Sequence, residues 1–539
     1  TEEEFVPLGD AQPKVYDQAV RRGLVKHIEA GKKEMRQLRE LKVYSPIWWE
    51  QIPEDENIIP MALLLKEKIL AGSGLLDKIK GRGVALGNYE IDPEDGFAPV
   101  VHWQSIMMQL IYNLNAGMYM VLVDVVGAYL RADLKKPVYI RFPKGFTENG
   151  TSYAVLHKCL YGLHGSGAGF YEMLTEAMLD IMNIQKNKTD PCLYAIWGTP
   201  RIKNKWEIVM TVTTNVDNLI IGCYNTVKQV GAVRDHLEKY GLPTVIEPDK
   251  NLLGCRIQYT AGKEFIMDNV NYIEKMAKEC GITHCKQTDT PMATEAYAIL
   301  ETAIRQVENG MMKRNKDELW FPSLIYKLAW FTRLRPDISF ATFLLTRYIS
   351  KWTNTHLKMA VRIVKYLVTT KHMKLHRKIG ANRELHVLTG MSDSDYAGDK
   401  VERKSVTGYV IFYNGAMLHA VSKQQKLITT SVAHAETIAL FELVKNMMFM
   451  YNALHQFVHV ELPMKIFVDN STAVKFANFD VCSERTRHWD ISLKYIFETT
   501  QRGFIKVEWI DGNDNTADIH TKPLAAEPFG KHRTSHGVY

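Results

Sequence analysis

Two apolar, strand-like runs each carry an acid where an ionised carboxylate is expensive, and this limits most sharply what the chain can be. Residues 118–126 read Met-Tyr-Met-Val-Leu-Val-Asp-Val-Val, with Asp124 inside the run. Residues 208–222 read Ile-Val-Met-Thr-Val-Thr-Thr-Asn-Val-Asp-Asn-Leu-Ile-Ile-Gly, with Asp217 and Asn218 between two β-rich halves. The second pattern predicts a hairpin with Asp217 at its turn. A carboxylate amid Val and Leu is costly unless a charge or a metal compensates it. Taken alone, Asp217 reads better as a turn residue bonding its own backbone. Two such acids on separate strands point instead to a shared metal site.

A chain of 539 residues suggests roughly three to four domains. With 46% hydrophobic and 24% charged residues, the whole is neither disordered, collagen-like nor a coiled coil. No uncharged apolar run approaches the ~18 residues of a membrane-spanning helix, so no membrane partner is expected. Seven scattered cysteines do not read as a disulfide framework and fit a reducing compartment. The net charge of +7 permits a nucleic-acid partner without requiring one. Residue 1 is Thr, which reads as the start of a processed product, a released fragment or an engineered piece.

Residues 14–41 predict a helix, and 61–90, with Lys66, Lys68, Lys78, Lys80 and Arg82 among five glycines, a basic loop or hairpin. From 286 to about 319 the chain reads as polar and irregular, and Leu324, Leu328 and Phe331 then open an α-rich stretch. The break at Arg335-Pro336-Asp337 predicts a new helix, since Pro suits a first turn. From 385 the order is strands, a long helix, strand, helix, strand, which predicts an α/β layer. Four acids fall at telling places there. Asp393 closes the first strand, Glu436 lies early in the long helix, Asp469 ends the strand 464–468, and Asp518 follows the last strand. Strand ends at one edge of such a sheet are where ligands bind. Four converging carboxylates would repel, and two divalent cations ~3.5–4 Å apart would neutralise them for in-line phosphodiester cleavage. Oxygen-only ligation favours Mg²⁺ or Mn²⁺ over Zn²⁺. Spacing alone does not separate this from four unrelated surface acids.

The motif Asp393-Ser-Asp-Tyr-Ala-Gly-Asp399, followed by Ser405-Val-Thr-Gly408-Tyr409, resembles the opening of the ribonuclease H domain of copia-type (Pseudoviridae-like) retrotransposons. Ser431-Val-Ala-His-Ala-Glu436, Val468-Asp469-Asn470, Arg485-Thr-Arg-His488-Trp-Asp490 and Ala517-Asp518-Ile-His-Thr-Lys-Pro-Leu524 are similar to its later motifs. Upstream, Phe97-Ala-Pro-Val-Val101, Asp124-Val-Val-Gly-Ala-Tyr-Leu130, Leu160-Tyr-Gly-Leu163 and the Asp217 turn resemble the reverse transcriptase of the same elements.

The resemblance implies α/β and α+β multidomain architecture. A right-hand polymerase of fingers, palm and thumb would occupy 1–285, an α-rich connection 286–384, a ribonuclease H-like domain 385–524, and a tail 525–539. It implies that Asp124 and Asp217 hold two Mg²⁺ for nucleotide addition, and that Lys80 and Arg82 contact the incoming triphosphate. Asp393, Glu436, Asp469 and Asp518 would hold metals that hydrolyse RNA in an RNA–DNA hybrid, making RNA and hybrid the expected partners. The polymerase part departs from the family. Where the family has Tyr-Val-Asp-Asp, this chain has Asn215-Val216-Asp217-Asn218, so one acid becomes a neutral amide and the aromatic is lost. Beyond Leu163 the family's Lys-Gln-Ala-Pro-Arg is replaced by His164-Gly-Ser-Gly-Ala. These changes predict very weak or absent DNA synthesis alongside hybrid cleavage. The rival expectation is a non-catalytic, domesticated RNA-binding subunit that joins other proteins in a large ribonucleoprotein particle.

Overall fold

A computed structural model describes residues 15–69, 76–91, 93, 96–198, 206–248, 251–282, 284–310, 320–398, 403–479 and 490–539. The motif residues Asp399, Arg485, Arg487 and His488 lie outside them. The fold is a mixed α/β assembly built on four sheets.

The first sheet has five strands in the order Tyr44–Ile47, Tyr153–Lys158, Asp133–Arg141, Ile58–Ile69, Leu76–Ala85. Its last two strands are the basic hairpin that the sequence predicts. The helix Val25–Glu40 lies on that hairpin so closely that a Cβ at Gly81 would come within 2.7 Å of the Ala30 carbonyl oxygen. The helix expected over 14–41 is two helices, Tyr16–Arg21 and Val25–Glu40. Gly23 breaks it at φ +66°, a conformation that glycine adopts without a Cβ penalty.

The second sheet runs Thr244–Ile246, Tyr119–Val125, Asn218–Cys223, Glu207–Asn215, Leu193–Gly198, Ile184–Lys186. Both acid-bearing runs are therefore adjacent central strands. The helix Trp103–Ala116 covers one face. Buried Gln109 on it donates to the Thr211 hydroxyl (3.0 Å) and the Ile220 carbonyl (2.9 Å), so the polar atoms at this contact are largely satisfied.

A third sheet, ending on Leu375–Lys378, joins the helical region to the fourth sheet. Within that region the stretch read as irregular contains a helix, Ala296–Glu308. Ala296, Leu300 and Ala303 recur at helical spacing and are buried, but so short a stripe among polar residues is easily overlooked. The break at Arg335 leads into a single turn, Pro336–Ile338, and then the helix Ser339–Thr346. Arg335 and Asp337 are both buried there and paired at 2.7 Å, and the Tyr366 hydroxyl donates to the same carboxylate. Burial of such a pair is tolerable because its donors and acceptors find partners.

The fourth sheet runs Ala416–Gln424, Val406–Tyr413, Leu388–Asp395, Met464–Val468, Ile505–Trp509. Its first three strands are antiparallel and its last three parallel. The strand Ala416–Gln424 and the helix Ser471–Asn478 were not anticipated from the sequence. The long helix Val432–His455 packs on the sheet, and its far end reaches the second sheet's layer. There Asn187 donates to the Ala453 carbonyl (2.7 Å), and Lys188 N–H to Gln456 (2.7 Å). One apolar core accordingly runs from the helix Trp103–Ala116 through the connecting helices into the fourth sheet.

The segment 525–539, expected to be a tail, forms the helix Ala526–Ser535 and then pairs with the third sheet. Phe529, His532, His536 and Val538 are buried. Phe529 is the one strong apolar residue in this helix, so its polar composition hid a docked element.

Candidate active sites

In the fourth sheet, parallel register sets Ser392 opposite Val468, so the next residues, Asp393 and Asp469, lie side by side; Asp469 follows the end of its strand, whereas the strand of Asp393 runs on two residues further than the sequence predicts, to Asp395. Asn470 accepts hydrogen bonds from Thr472 and Ala473 N–H (both 3.0 Å), which starts a helix at once and ends the strand there. Ser431 caps the long helix by accepting from His434 N–H (3.2 Å), which puts Glu436 near its start, over the same edge. Asp518 sits on the single-turn helix Thr516–His520. Asn515, just before it, ties that loop to the first strand by donating to the Ser392 carbonyl (2.9 Å). Gly408 is the floor beneath the loop: a Cβ there would meet the Thr521 methyl at 2.5 Å.

Carboxylate oxygens of Asp393, Asp469 and Asp518 all lie within 4.8 Å of one another. Glu436 stands beside them, with one oxygen accepting from Ser394 N–H (3.3 Å) and the other without a hydrogen-bond partner. Asp393 is 2% exposed and Glu436 4%. Burial, then the neighbouring Asp393 charge, pushes the carboxyls of Asp469 and Glu436 above the usual range and that of Asp518 up to about 7. A fifth acid, Asp395, is raised by burial too. Among the described residues the counter-charges are few. Lys522 Nζ is 3.0 Å from Asp518 and 3.7 Å from Asp393, and the Thr521 hydroxyl donates to Asp393. Sequence reasoning missed Lys522, Thr521 and Asn515 as parts of the site. The first two were visible inside the Ala517–Leu524 motif, but only the fold reveals what they touch.

At the second sheet, register places Asp124 opposite Asn218, and Val125 N–H donates to the Asp217 carbonyl (2.8 Å). The two expected acids are thus neighbours. The turn holds Val216 at φ +56°, strained for a β-branched residue. Asn218 donates its amide to Asp217 (3.0 Å), so the neutral residue hydrogen-bonds the acid beside it. Arg82 lies over the Tyr161 ring at 4.5 Å. Burial raises the hydroxyls of Tyr129 and Tyr161; the Asp217 charge adds to the rise and Arg82 opposes it. Arg82 and Asp217 therefore share one neighbourhood. Lys80 sits two residues along the same strand, facing Lys66 in the hairpin register, and Lys80 and Arg82 both act on Glu34.

The donor set fits divalent cations. Oxygen ligands alone surround the nuclease-type cluster, and its unpartnered Glu436 oxygen and raised carboxyls are what a site for a hard cation would leave when empty of charge.

The family described as reverse transcriptase (RNA-dependent DNA polymerase) matches residues 47–294. The retrovirus-related Pol polyprotein from transposon TNT 1-94 of Nicotiana tabacum is 26% identical over 509 residues, covering 93% of this chain and 37% of that protein. The corresponding polyprotein from transposon RE1 of Arabidopsis thaliana is 26% identical, covering 86% and 31%. The transposon TyH3 Gag-Pol polyprotein of Saccharomyces cerevisiae is 22% identical, covering 94% and 28%. The chain spans about a third of the length of these relatives. Among solved structures, the foamy viral protease–reverse transcriptase in complex with double-stranded DNA aligns at TM-score 0.46 and 12% identity, over 94% of this chain and 86% of that one. By sequence, residues 47–294 are similar to the reverse transcriptase family, and the chain as a whole is similar to part of the Pol polyproteins of plant and yeast transposons.

Proposed function

We propose that this chain binds RNA–DNA hybrid and hydrolyses its RNA strand at the Asp393–Glu436–Asp469–Asp518 cluster, with DNA synthesis at Asp124 and Asp217 very weak or absent. Residues up to 285 are assigned to the polymerase part, 286–384 to the connection, and the following residues to the nuclease part. The observation that carries the reading is the gathering of three carboxylates within 4.8 Å beside a buried, half-unpartnered fourth. Mg²⁺ is the assigned cofactor, with Mn²⁺ able to replace it. Bound between the four acids, a divalent pair supplies positive charge where an in-line phosphodiester displacement develops negative charge.

The chain's own groups prepare that site. Thr521 fixes the Asp393 carboxyl, Ser394 N–H fixes one oxygen of Glu436, and Asn515 holds the Asp518 loop against the strand end. Lys522 offsets part of the acids' mutual repulsion. A duplex needs cationic surface as well. A groove between the helix Val25–Glu40 and the hairpin is lined by Lys26, Lys33, Arg36 and Lys78, and Lys80 and Arg82 continue the exposed row along the strand.

Reduced polymerisation follows from Asn218. Its amide brings no negative charge to a turn where nucleotide addition would need cations held firmly. A labelled RNA–DNA hybrid and a poly(rA)–oligo(dT) primer test both halves. Cutting in Mg²⁺, abolished by chelator and by Asp469→Asn, with little primer extension, is the expected result. Robust extension would overturn the second half. Absence of cutting, with Asp469→Asn indistinguishable from wild type, would overturn the first.

A further inference from the structure

Residues 526–539 touch the Asp518 loop from one side and the connecting region from the other. On the loop side, Lys531 Nζ donates to the Asn513 carbonyl (2.8 Å) and to the Asp514 carboxylate (2.6 Å), just before Asp518 in the chain. Buried His536 shares a 3.1 Å hydrogen bond with the Thr516 hydroxyl, and its ring stacks on that of His520, centroids 5.0 Å apart and planes within 10°. Both flanks of Asp518, residues 513–516 and 520, are therefore held by one helix and the residue that ends it.

That helix is in turn anchored to the third sheet. His376 N–H donates to the Gly537 carbonyl (2.7 Å), Lys374 and Tyr539 exchange backbone hydrogen bonds (3.0 and 3.2 Å), and Leu375 pairs with Val538. Arg377, fully buried, donates to the His536 carbonyl (2.9 Å). A guanidinium there also suits the negative end of the helix dipole. Arg533 donates to the Tyr366 hydroxyl (3.3 Å), whose own proton goes to Asp337, and Phe529 meets the Tyr366 ring edge-on at 5.8 Å.

We propose that residues 526–539 are a positioning latch, pinned to the strand Leu375–Lys378 and setting the place of Asp518 through His536 and Lys531. Its catalytic consequence rests on the nuclease reading of Asp518, whereas the mechanical link does not. Neither side chain touches the carboxylate cluster. They act through the backbone of the loop, as outer groups orient metal ligands elsewhere. Under this arrangement the fourth acid is held from the connecting region, so a nuclease part cut free of it would keep three acids in place and lose the fourth.

Two measurements on the full chain test the latch. Hydrogen exchange over residues 512–522, in chelator, reports the loop without any metal. His536→Ala is expected to speed exchange there by about tenfold or more, while the strand Met464–Val468 stays protected. Should His536→Ala fail to fold, the surface variant Lys531→Ala is expected to show the same local loosening at smaller amplitude. Unchanged exchange over 512–522 overturns the latch. Calorimetric titration with Mn²⁺ then reads the consequence: His536→Ala weakens binding about tenfold in the wild-type background, and the loss vanishes in an Asp518→Asn background. An equal loss in both backgrounds would mean a general effect on the fold, and overturns positioning through Asp518. A wild-type chain that takes up no Mn²⁺ at this site sinks the nuclease reading, while the exchange data still decide the latch.

Discussion

The hairpin acids and the nuclease-type acids solve one problem, negative charge against an apolar sheet, in opposite ways. At the hairpin, Asp217 is half-exposed, receives the Asn218 amide and shares its surroundings with Arg82. It therefore has a hydrogen-bond donor of its own and a cation in its neighbourhood. At the fourth sheet, four acids crowd one strand edge, two of them almost fully buried, and among the described residues Lys522 is the ammonium that pairs with them. One ammonium does not balance four ionised carboxylates. The raised carboxyls show the cost. Crowded carboxylates of this kind gain from any positive charge brought among them, and an acid with polar neighbours of its own gains less.

The largest effect expected from this contrast is on cleavage. Asp469→Asn removes one ligand from the crowded edge and is expected to slow hybrid cutting in Mg²⁺ by at least about 10²-fold, as befits a group holding several kcal/mol of charge stabilisation. Asp124→Asn should leave cutting unchanged in the same assay. Equal loss from both would erase the distinction between the two sites.

Next in size is a pH effect in chelator. Asp518 has a folded value of about 7 against about 3.9 for an unfolded Asp, and Asp469 and Glu436 shift the same way. Between those values the folded chain keeps protons that the unfolded chain has released, so stability falls as pH rises from about 4 to about 7. The loss is expected to be about 4 kcal/mol from Asp518 alone, at roughly 1.4 kcal/mol per pH unit between those values, read by thermal or urea unfolding, and Mg²⁺ should restore it at pH 8. A metal-free chain equally stable at pH 5.5 and 8 would contradict the stored repulsion. Smaller again is the gain from Asn218→Asp, which returns a second acid to the hairpin turn. Primer extension should rise about tenfold from its low base; no rise would place the defect elsewhere, as in the glycine-rich segment after Leu163.

The acids were legible in the sequence because they stand within or just beyond strand-like runs. Asp469 follows the end of its run, while the strand of Asp393 continues to Asp395, and parallel register sets the two acids side by side. The hairpin around Asp217 was legible for the same reason. Compensation was not, because it is made across the fold: Lys522 meets Asp393 from 129 residues away in the chain. In sequence Gly408 is one glycine in a motif, and only the fold rests the Asp518 loop on it. The docked helix at 526–535 was illegible because histidines and an arginine, polar by composition, fill its buried contacts.

Lys522 gives the smallest and most discriminating effect. Its ammonium lies between Asp518 and Asp393, in space that a cation bound to the same oxygens would contest. Its stem lines a small cavity with Met292, Phe340 and Phe529, so Lys522→Met keeps the apolar contact and removes only the charge. If the ammonium is a competitor, apparent Mn²⁺ affinity should rise about threefold, since a partly exposed ion pair contributes under about 1 kcal/mol. If the ammonium instead holds the two acids in register, affinity should fall. The hairpin offers the control, for there Arg82 stands on the Tyr161 ring rather than between carboxylates, and Arg82→Met should leave metal affinity at the nuclease-type cluster untouched. A rise confined to Lys522→Met would show that the ammonium and a divalent cation compete for the same carboxylates.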